Sequence, residues 1–441
     1  MSLHPYRTIW VLAWPQVLMM VFHFLIGAVD VKVAGILNAQ VQAALGMISQ
    51  VMMFFLVVAI AMANGAVAAI SQSVGAGMTV RVKRYVGLVL LLALGLGFLI
   101  MALSFPIRGT LLDALQVNPE IRDITRYFLE IYLLVTPFYY LLLITNAIFR
   151  SQKQVMQPLY TMVLITVLNA IGDLGFGLGW FGMPNLGYKG MAWATFAAIA
   201  GGSLLNLTQL MRQGLVSRAS FAPWRWVRRA TPYIFKVAWP SALMSMVWNS
   251  GYLVLFALTS SLPIGSEAAN VVLAGLTVGN RIEALLFLPA FAFNMTASIL
   301  VGHWLGAGKP DEAKRFGYRI LAIGMVTIGA ITLVLWLFVE PVTGYFAADA
   351  AVKDAGVSYL SWNMAAVPFT IISMLLGGAF NGAGATILNL GIFGMAIWFV
   401  RLPLAWWLGH ETMQSADGIW IAMFVSQLIQ AIVIFFVYHF Y

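Results

Sequence analysis

Residues 10–36 read WVLAWPQVLMMVFHFLIGAVDVKVAGI, and only Asp30 and Lys32 among them carry charge. A helix needs about 20 predominantly apolar residues to cross a bilayer, so this stretch predicts a transmembrane helix. Similar runs follow near 45–73, 86–107, 121–146, 157–180, 190–211, 238–260, 269–303, 320–340, 357–380, 388–408 and 418–440. The sequence therefore predicts an all-α membrane protein of twelve spans. Composition agrees: of 441 residues 62% are hydrophobic and 9% charged, with a mean hydropathy of +0.91. A soluble domain is about 25% charged, so a cytosolic enzyme and a disordered chain are both excluded. Cysteine is absent, which removes disulfides, thiolate metal sites and a cysteine nucleophile.

The net charge of +9 does not point to nucleic acid, because the basic residues sit in short connections between apolar runs. There they report orientation. With a cytoplasmic N-terminus, 16 of the 24 basic residues fall on the cytoplasmic side and 5 on the other. Both termini are thus expected in the cytoplasm, in a bacterial inner membrane. Met1 to Trp10 lack a secretory leader pattern, so the first span is expected to be retained.

The chain repeats itself. Trp14-Pro15 returns as Trp239-Pro240, an offset of 225, while Gly75-Ala76-Gly77 returns as Gly306-Ala307-Gly308 and Ala147-Ile148-Phe149 as Gly378-Ala379-Phe380, both at 231. Six extra residues near Pro263, Gly265 and Glu267 account for the change. Two six-span halves follow, 1–211 and 238–441, joined by a basic cytoplasmic linker at 212–237. An even number of spans per half gives both copies one orientation and a symmetry axis along the membrane normal.

Ionisable groups at membrane depth are expensive and functional by default. Asp30 on span 1 lies 15 residues beyond Pro15 and Asp173 on span 5 lies 15 beyond Pro158, each about 22 Å along the helix. Two carboxylates from separate helices thus reach one depth, where a pair suits proton transfer or a small hard cation. Met162, Thr166, Asn169 and Asp173 share a face of span 5, and His23 shares one with Asp30. The alternative is that the acids only pair with neighbours such as Lys32. Their counterparts in the second half are Leu255 and Leu404, so ion chemistry is expected mainly in the first. Arg281, Glu283 and Arg401 read as structural rather than gating. Pro15 is either a hinge or a proline that a membrane helix tolerates. No Walker A sequence occurs, and the spaced glycines at Gly177, Gly179 and Gly182 end a membrane span rather than opening a βαβ unit. His4, His23, His303, His410 and His439 lack metal-ligand spacing.

These residues resemble the multidrug and toxic compound extrusion (MATE) transporters over nearly the whole chain. The likeness rests on Trp14-Pro15, Asp30 with Ala34-Gly35, Gly75-Ala76-Gly77, Asn169 with Asp173, Gly187-Tyr188-Lys189-Gly190-Met191-Ala192 leading to Thr195, and Val301 to Gly308. The resemblance implies a V-shaped pair of pseudo-symmetric six-helix bundles exporting organic, often cationic, compounds against protons or sodium ions, without cofactor or enzymatic activity. It implies a cation-coupling site at Asp30, Asn169, Asp173 and Thr195, which would also be the sodium site. Asn146 and Met162 would face the substrate cavity with Thr166 and His23, and Pro15 would bend span 1. The acid pattern looks like the DinF-like branch, since Asn249 and Asn363 stand where the NorM-like branch uses acids on spans 7 and 10. Lys32 departs from the usual pattern. A monomer among membrane lipids is expected, coupled to H+ with Na+ as the alternative. A flippase for a lipid-linked precursor and a passive channel are the rival readings.

Overall fold

The computed structural model describes residues 4–347 and 349–441. Twelve helices are long and apolar enough to cross a membrane: α1 (Pro5–Leu37), α2 (Ala39–Gly75), α3 (Thr79–Ser104), α4 (Pro119–Ser151), α5 (Met156–Gly177), α6 (Tyr188–Arg212), α7 (Trp224–Ser260), α8 (Ser266–Gly306), α9 (Pro310–Leu337), α10 (Ala350–Ala383), α11 (Thr386–Thr412) and α12 (Ala416–Phe440). No strand occurs among the described residues. The all-α, twelve-span expectation is met, and exposed Phe54, Leu91, Leu103, Val326 and Leu337 give the helices the apolar outer faces that lipid requires.

The repeat persists in the backbone. Offset by 231, α3 begins at Thr79 and α9 at Pro310, α4 at Pro119 and α10 at Ala350, and the short helix Arg108–Ala114 is echoed by Val339–Phe346. Both halves also interrupt their fifth span with π-helical turns, Asp173–Gly177 in α5 and Met395–Arg401 and Trp407–Thr412 in α11. Such turns leave the regular hydrogen-bond ladder and are frequent at functional sites.

The chain forms two compact units, one of residues up to Val17 with Trp239–Tyr441, the other Leu18–Ala238. Compared with the sequence division at 1–211, 212–237 and 238–441, the units differ in two segments. The first turns of α1 belong with the second half, and the stretch expected as a linker belongs with the first half. Most of that stretch is helical, because α7 starts at Trp224. Charge hides this start in a hydropathy reading, since Arg225, Arg228 and Arg229 interrupt the apolar run without disfavouring helix. Both unit boundaries fall beside a proline, two residues after Pro15 and two before Pro240.

Within the Leu18–Ala238 unit α4 packs against α2, α3 and α6, and α10 plays the same central part in the other unit, against α8, α9 and α12. Small residues permit the closest approaches, as is usual between membrane helices. A Cβ on Gly378 or Gly382 of α10 would collide with the backbone carbonyls of Asn294 or Ser298 on α8.

Candidate functional site

Three helices of the Leu18–Ala238 unit converge on one polar cluster. From α1 comes Asp30; α5 contributes Asp173, which is 0% exposed, and Asn169, 1% exposed, and α6 contributes Thr195, 4% exposed. The spacing of four between Asn169 and Asp173 puts both on one face, and the π-turn that begins at Asp173 resets the helix just beyond it. The Asp30 carboxyl lies within hydrogen-bonding reach of the Asp173 carboxyl and of the Asn169 carboxamide. Asn169 Nδ2 donates to Thr195 Oγ1 at 3.2 Å.

Acceptors outnumber donors here. Asp30 Oδ1, both Asp173 oxygens and Asn169 Oδ1 are buried and receive no hydrogen bond. The two carboxyls face each other within hydrogen-bonding reach, and if both are ionised they offer each other lone pairs and no proton. Burying a charge without a partner is costly, and a proton shared between the acids, or a small cation among the oxygens, satisfies the same set of atoms. Lys32 does not serve: it is exposed and makes no ion pair among the described residues.

Two tyrosines complete the surroundings. The Tyr132 hydroxyl on α4 is within hydrogen-bonding reach of Thr195 and interacts electrostatically with both acids, and Tyr139 interacts with Asp30. Sequence reasoning missed both. The available signal was a stripe on α4, where Tyr132, Tyr139 and Asn146 recur every seven residues, two helical turns apart.

The expected cavity residues separate. Asn146 is buried and its Oδ1 accepts from Asn206 Nδ2 at 2.8 Å, while Asn206 Oδ1 accepts from Thr161 Oγ1 at 2.6 Å. This lock ties α4, α5 and α6 together. Met162 is buried, and Thr166 donates to the Met162 carbonyl at 2.8 Å, with the α1 carbonyl of Phe22 at 3.4 Å. His23 is exposed. Pro15 is buried within an unbroken α1. Its neighbour Gln16, which the sequence reading passed over, donates to the Leu12 carbonyl and to Thr296 Oγ1 of α8, each at 2.9 Å.

The unit containing Trp239–Tyr441 holds a buried charged cluster of its own. Tyr359 donates to Glu283 Oε2 at 2.5 Å, and Arg401 Nε donates to Ser426 Oγ at 2.9 Å. Arg401 is 2% exposed and Glu283 5%, and Tyr252 lies within hydrogen-bonding reach of Arg401. Arg281 points outward instead. Glu130 pairs with Arg108 at 2.7 Å and Arg126 at 3.1 Å, so it is satisfied locally.

A family model described as MatE matches residues 15–174 and again 240–407, once per repeat. The chain is 27% identical over 419 residues to the probable multidrug resistance protein NorM of Thermotoga maritima, covering 93% of this chain and 87% of that one. It is 26% identical over 374 residues to the multidrug resistance protein PmpM of Pseudomonas aeruginosa, covering 81% and 75%. Among solved structures, a crystal structure of MATE in the straight conformation superposes with a TM-score of 0.89 at 22% identity, over 99% of this chain and 96% of that one. The last likeness is one of fold.

Proposed function

The chain belongs to the MatE family, integral membrane transporters and not enzymes, and from that premise we propose that it is a secondary active exporter of small organic, often cationic, compounds. Export is driven by protons returning through Asp30 and Asp173, with Asn169 and Thr195 holding the acids in place. The observation that carries this reading is the acid pair itself: two carboxyls from different helices, buried together, with more acceptors than donors. In the doubly charged state the pair repels and favours separation of α1 from α5. A shared proton draws the helices together, so occupancy of the site is converted into helix position.

Unit boundaries beside Pro15 and Pro240 support these two positions as hinges for alternating access, because a proline leaves one helical hydrogen bond unmade and softens the helix there. Asn249 and Asn363, which stand on spans 7 and 10 in place of carboxylates, support the DinF-like branch. The basic connections support cytoplasmic termini in a bacterial inner membrane. Sodium is the second reading, favoured by Asn169 Oδ1 standing unpaired beside three carboxylate oxygens, a set of hard oxygen ligands.

The test is ethidium movement in vesicles containing the purified protein, under an imposed pH gradient and, separately, a sodium gradient. Transport driven by one gradient establishes an antiporter and names its ion. Flux indifferent to both gradients would refute the exchange mechanism and leave a passive channel.

A further inference from the structure

One surface outside the acid site is built almost wholly of cations and exposed aromatic rings. It joins the head of α3 to the first turns of α7 and the residues just before them, all in the Leu18–Ala238 unit. Trp226 packs edge-on against Tyr85 at 5.0 Å between ring centres, and Arg84 lies over the Trp226 ring at 5.9 Å. With Trp226 anchored inward, its neighbours face out: Trp224 is 76% exposed, Phe221 69%, and Arg225, Arg228 and Arg229 are exposed. Lys83, the residue before Arg84, lines an open cavity of about 210 Å³ together with Val74, Thr79, Gln152 and Leu215 among others.

Nothing in the chain neutralises this surface. No Asp or Glu occurs between Asp30 and Asp113 or between Asp173 and Glu267, the two segments that build it. No hydrogen bond or ion pair joins the side chains of Lys83, Arg225, Arg228 or Arg229 to any described residue. The repeat supplies an internal comparison. Lys314, 231 residues after Lys83, is bound by the backbone carbonyl of His439, and Tyr438 packs beside it. The same lysine position is thus capped by protein in the second half and opens onto a cavity in the first.

We propose that this surface binds the phosphate headgroup of an anionic phospholipid, with Lys83 holding the phosphate in the cavity and Trp224, Phe221 and the three arginines seated at the membrane interface. The chemistry fits a lipid rather than a protein. Basic residues beside a span attract anionic headgroups, while indole and phenyl rings prefer the headgroup level of the bilayer. The surface opens the helix that goes on to span the membrane, which puts it on the headgroup side of that span. Anchoring there fixes the part of α7 that leads to Pro240, which makes headgroup charge a condition on how that helix is held.

The test uses the purified full chain in neutral detergent, titrated with short-chain phosphatidylglycerol, short-chain phosphatidylcholine or inorganic phosphate, and followed by melting temperature and by native mass spectrometry of retained lipid. Phosphatidylglycerol is expected to stabilise the protein and phosphatidylcholine not to. Replacing Arg225, Arg228 and Arg229 together by Gln raises the half-saturating concentration on the order of a hundredfold, at about fivefold per side chain. Lys at the same three positions keeps the response. Lys83→Gln separately removes the lipid retained in the mass spectrum, and because it leaves the arginines in place it serves if the triple variant fails to fold. The proposal is overturned if Lys83→Gln retains lipid like the parent, if phosphatidylcholine acts as well as phosphatidylglycerol, or if inorganic phosphate alone reproduces the stabilisation. None of these readouts depends on transport, so a negative gradient experiment leaves the lipid site standing.

Discussion

Replacing Asp173 by Asn removes one charge from the acid pair and leaves a side chain of nearly the same shape. Asp173 is 0% exposed and its carboxyl lies within hydrogen-bonding reach of Asp30, so the variant changes electrostatics far more than packing. Two unit charges about 4 Å apart at an effective dielectric near 20 interact by about 4 kcal/mol. That energy drives the two helices apart in the proton-free state and vanishes when a proton is shared. It corresponds to roughly a thousandfold bias between the two states. With one carboxyl gone the bias goes too, and ethidium transport under a pH gradient is expected to fall to the level of vesicles with no gradient. Folding survives, because an amide can donate to Asp30 where a carboxylate could not. The melting temperature in detergent should therefore rise relative to the parent in alkaline buffer, where the parent pair is doubly charged, and match it in acid. The assay pairs vesicle transport with those two melts. Gradient-driven export at the parent rate by Asp173→Asn would remove the pair from the mechanism, and equal melts at alkaline pH would show that the two charges do not repel in the folded chain.

Tyr132→Phe deletes a hydroxyl within reach of Thr195 and near both acids while keeping the ring. It is expected to slow gradient-driven transport about tenfold, the effect of one hydrogen bond of about 1.4 kcal/mol, without altering the ion that drives it; an unchanged rate assigns Tyr132 to packing alone. Gly378→Ala puts a Cβ against the Asn294 carbonyl, an overpacking worth about 1–3 kcal/mol. Its melting temperature should drop clearly while that of Gly329→Ala, where the added Cβ meets open space, stays within error of the parent; equal melts would mean α8 and α10 are not held at this approach.

Span number and repeat were legible because a bilayer imposes one length on every helix and duplication copies the punctuation. Gly-Ala-Gly marks the same helix end in both halves, and the helix starts at Thr79 and Pro310 follow from it, while Trp-Pro recurs inside α1 and α7. The acid pair was legible for a similar reason: apolar context makes any carboxylate conspicuous, and equal distances from Pro15 and Pro158 gave equal depth. What the sequence concealed has physical causes as well. Helical period and hydropathy carry no mark of a π-turn, so the resets at Asp173–Gly177 and in α11 were invisible. Charged residues that extend a helix beyond the bilayer look like linker, which hid the first turns of α7. Tyrosine carries a single polar atom on an apolar ring, so Tyr132 and Tyr139 did not stand out among the many aromatic residues.

The two halves differ in the charge they bring to the contact between their fifth and sixth spans. At the common offset of 231, Ser426 stands for Thr195, Leu404 for Asp173 and Val400 for Asn169, with Arg401 one position further on. The hydrogen bond between spans five and six survives in the second half, as Arg401 to Ser426 at 2.9 Å in place of Asn169 to Thr195 at 3.2 Å. Its donor has become a guanidinium, which cannot be deprotonated in a protein. Glu283 and its tyrosine partner face that fixed charge, so the second site brings its own cation, covalently tethered. The first site has two carboxyls and, among the described residues, no cation paired with them. The duplicated bundle has kept the contact between helices and placed a positive charge at it in one copy alone.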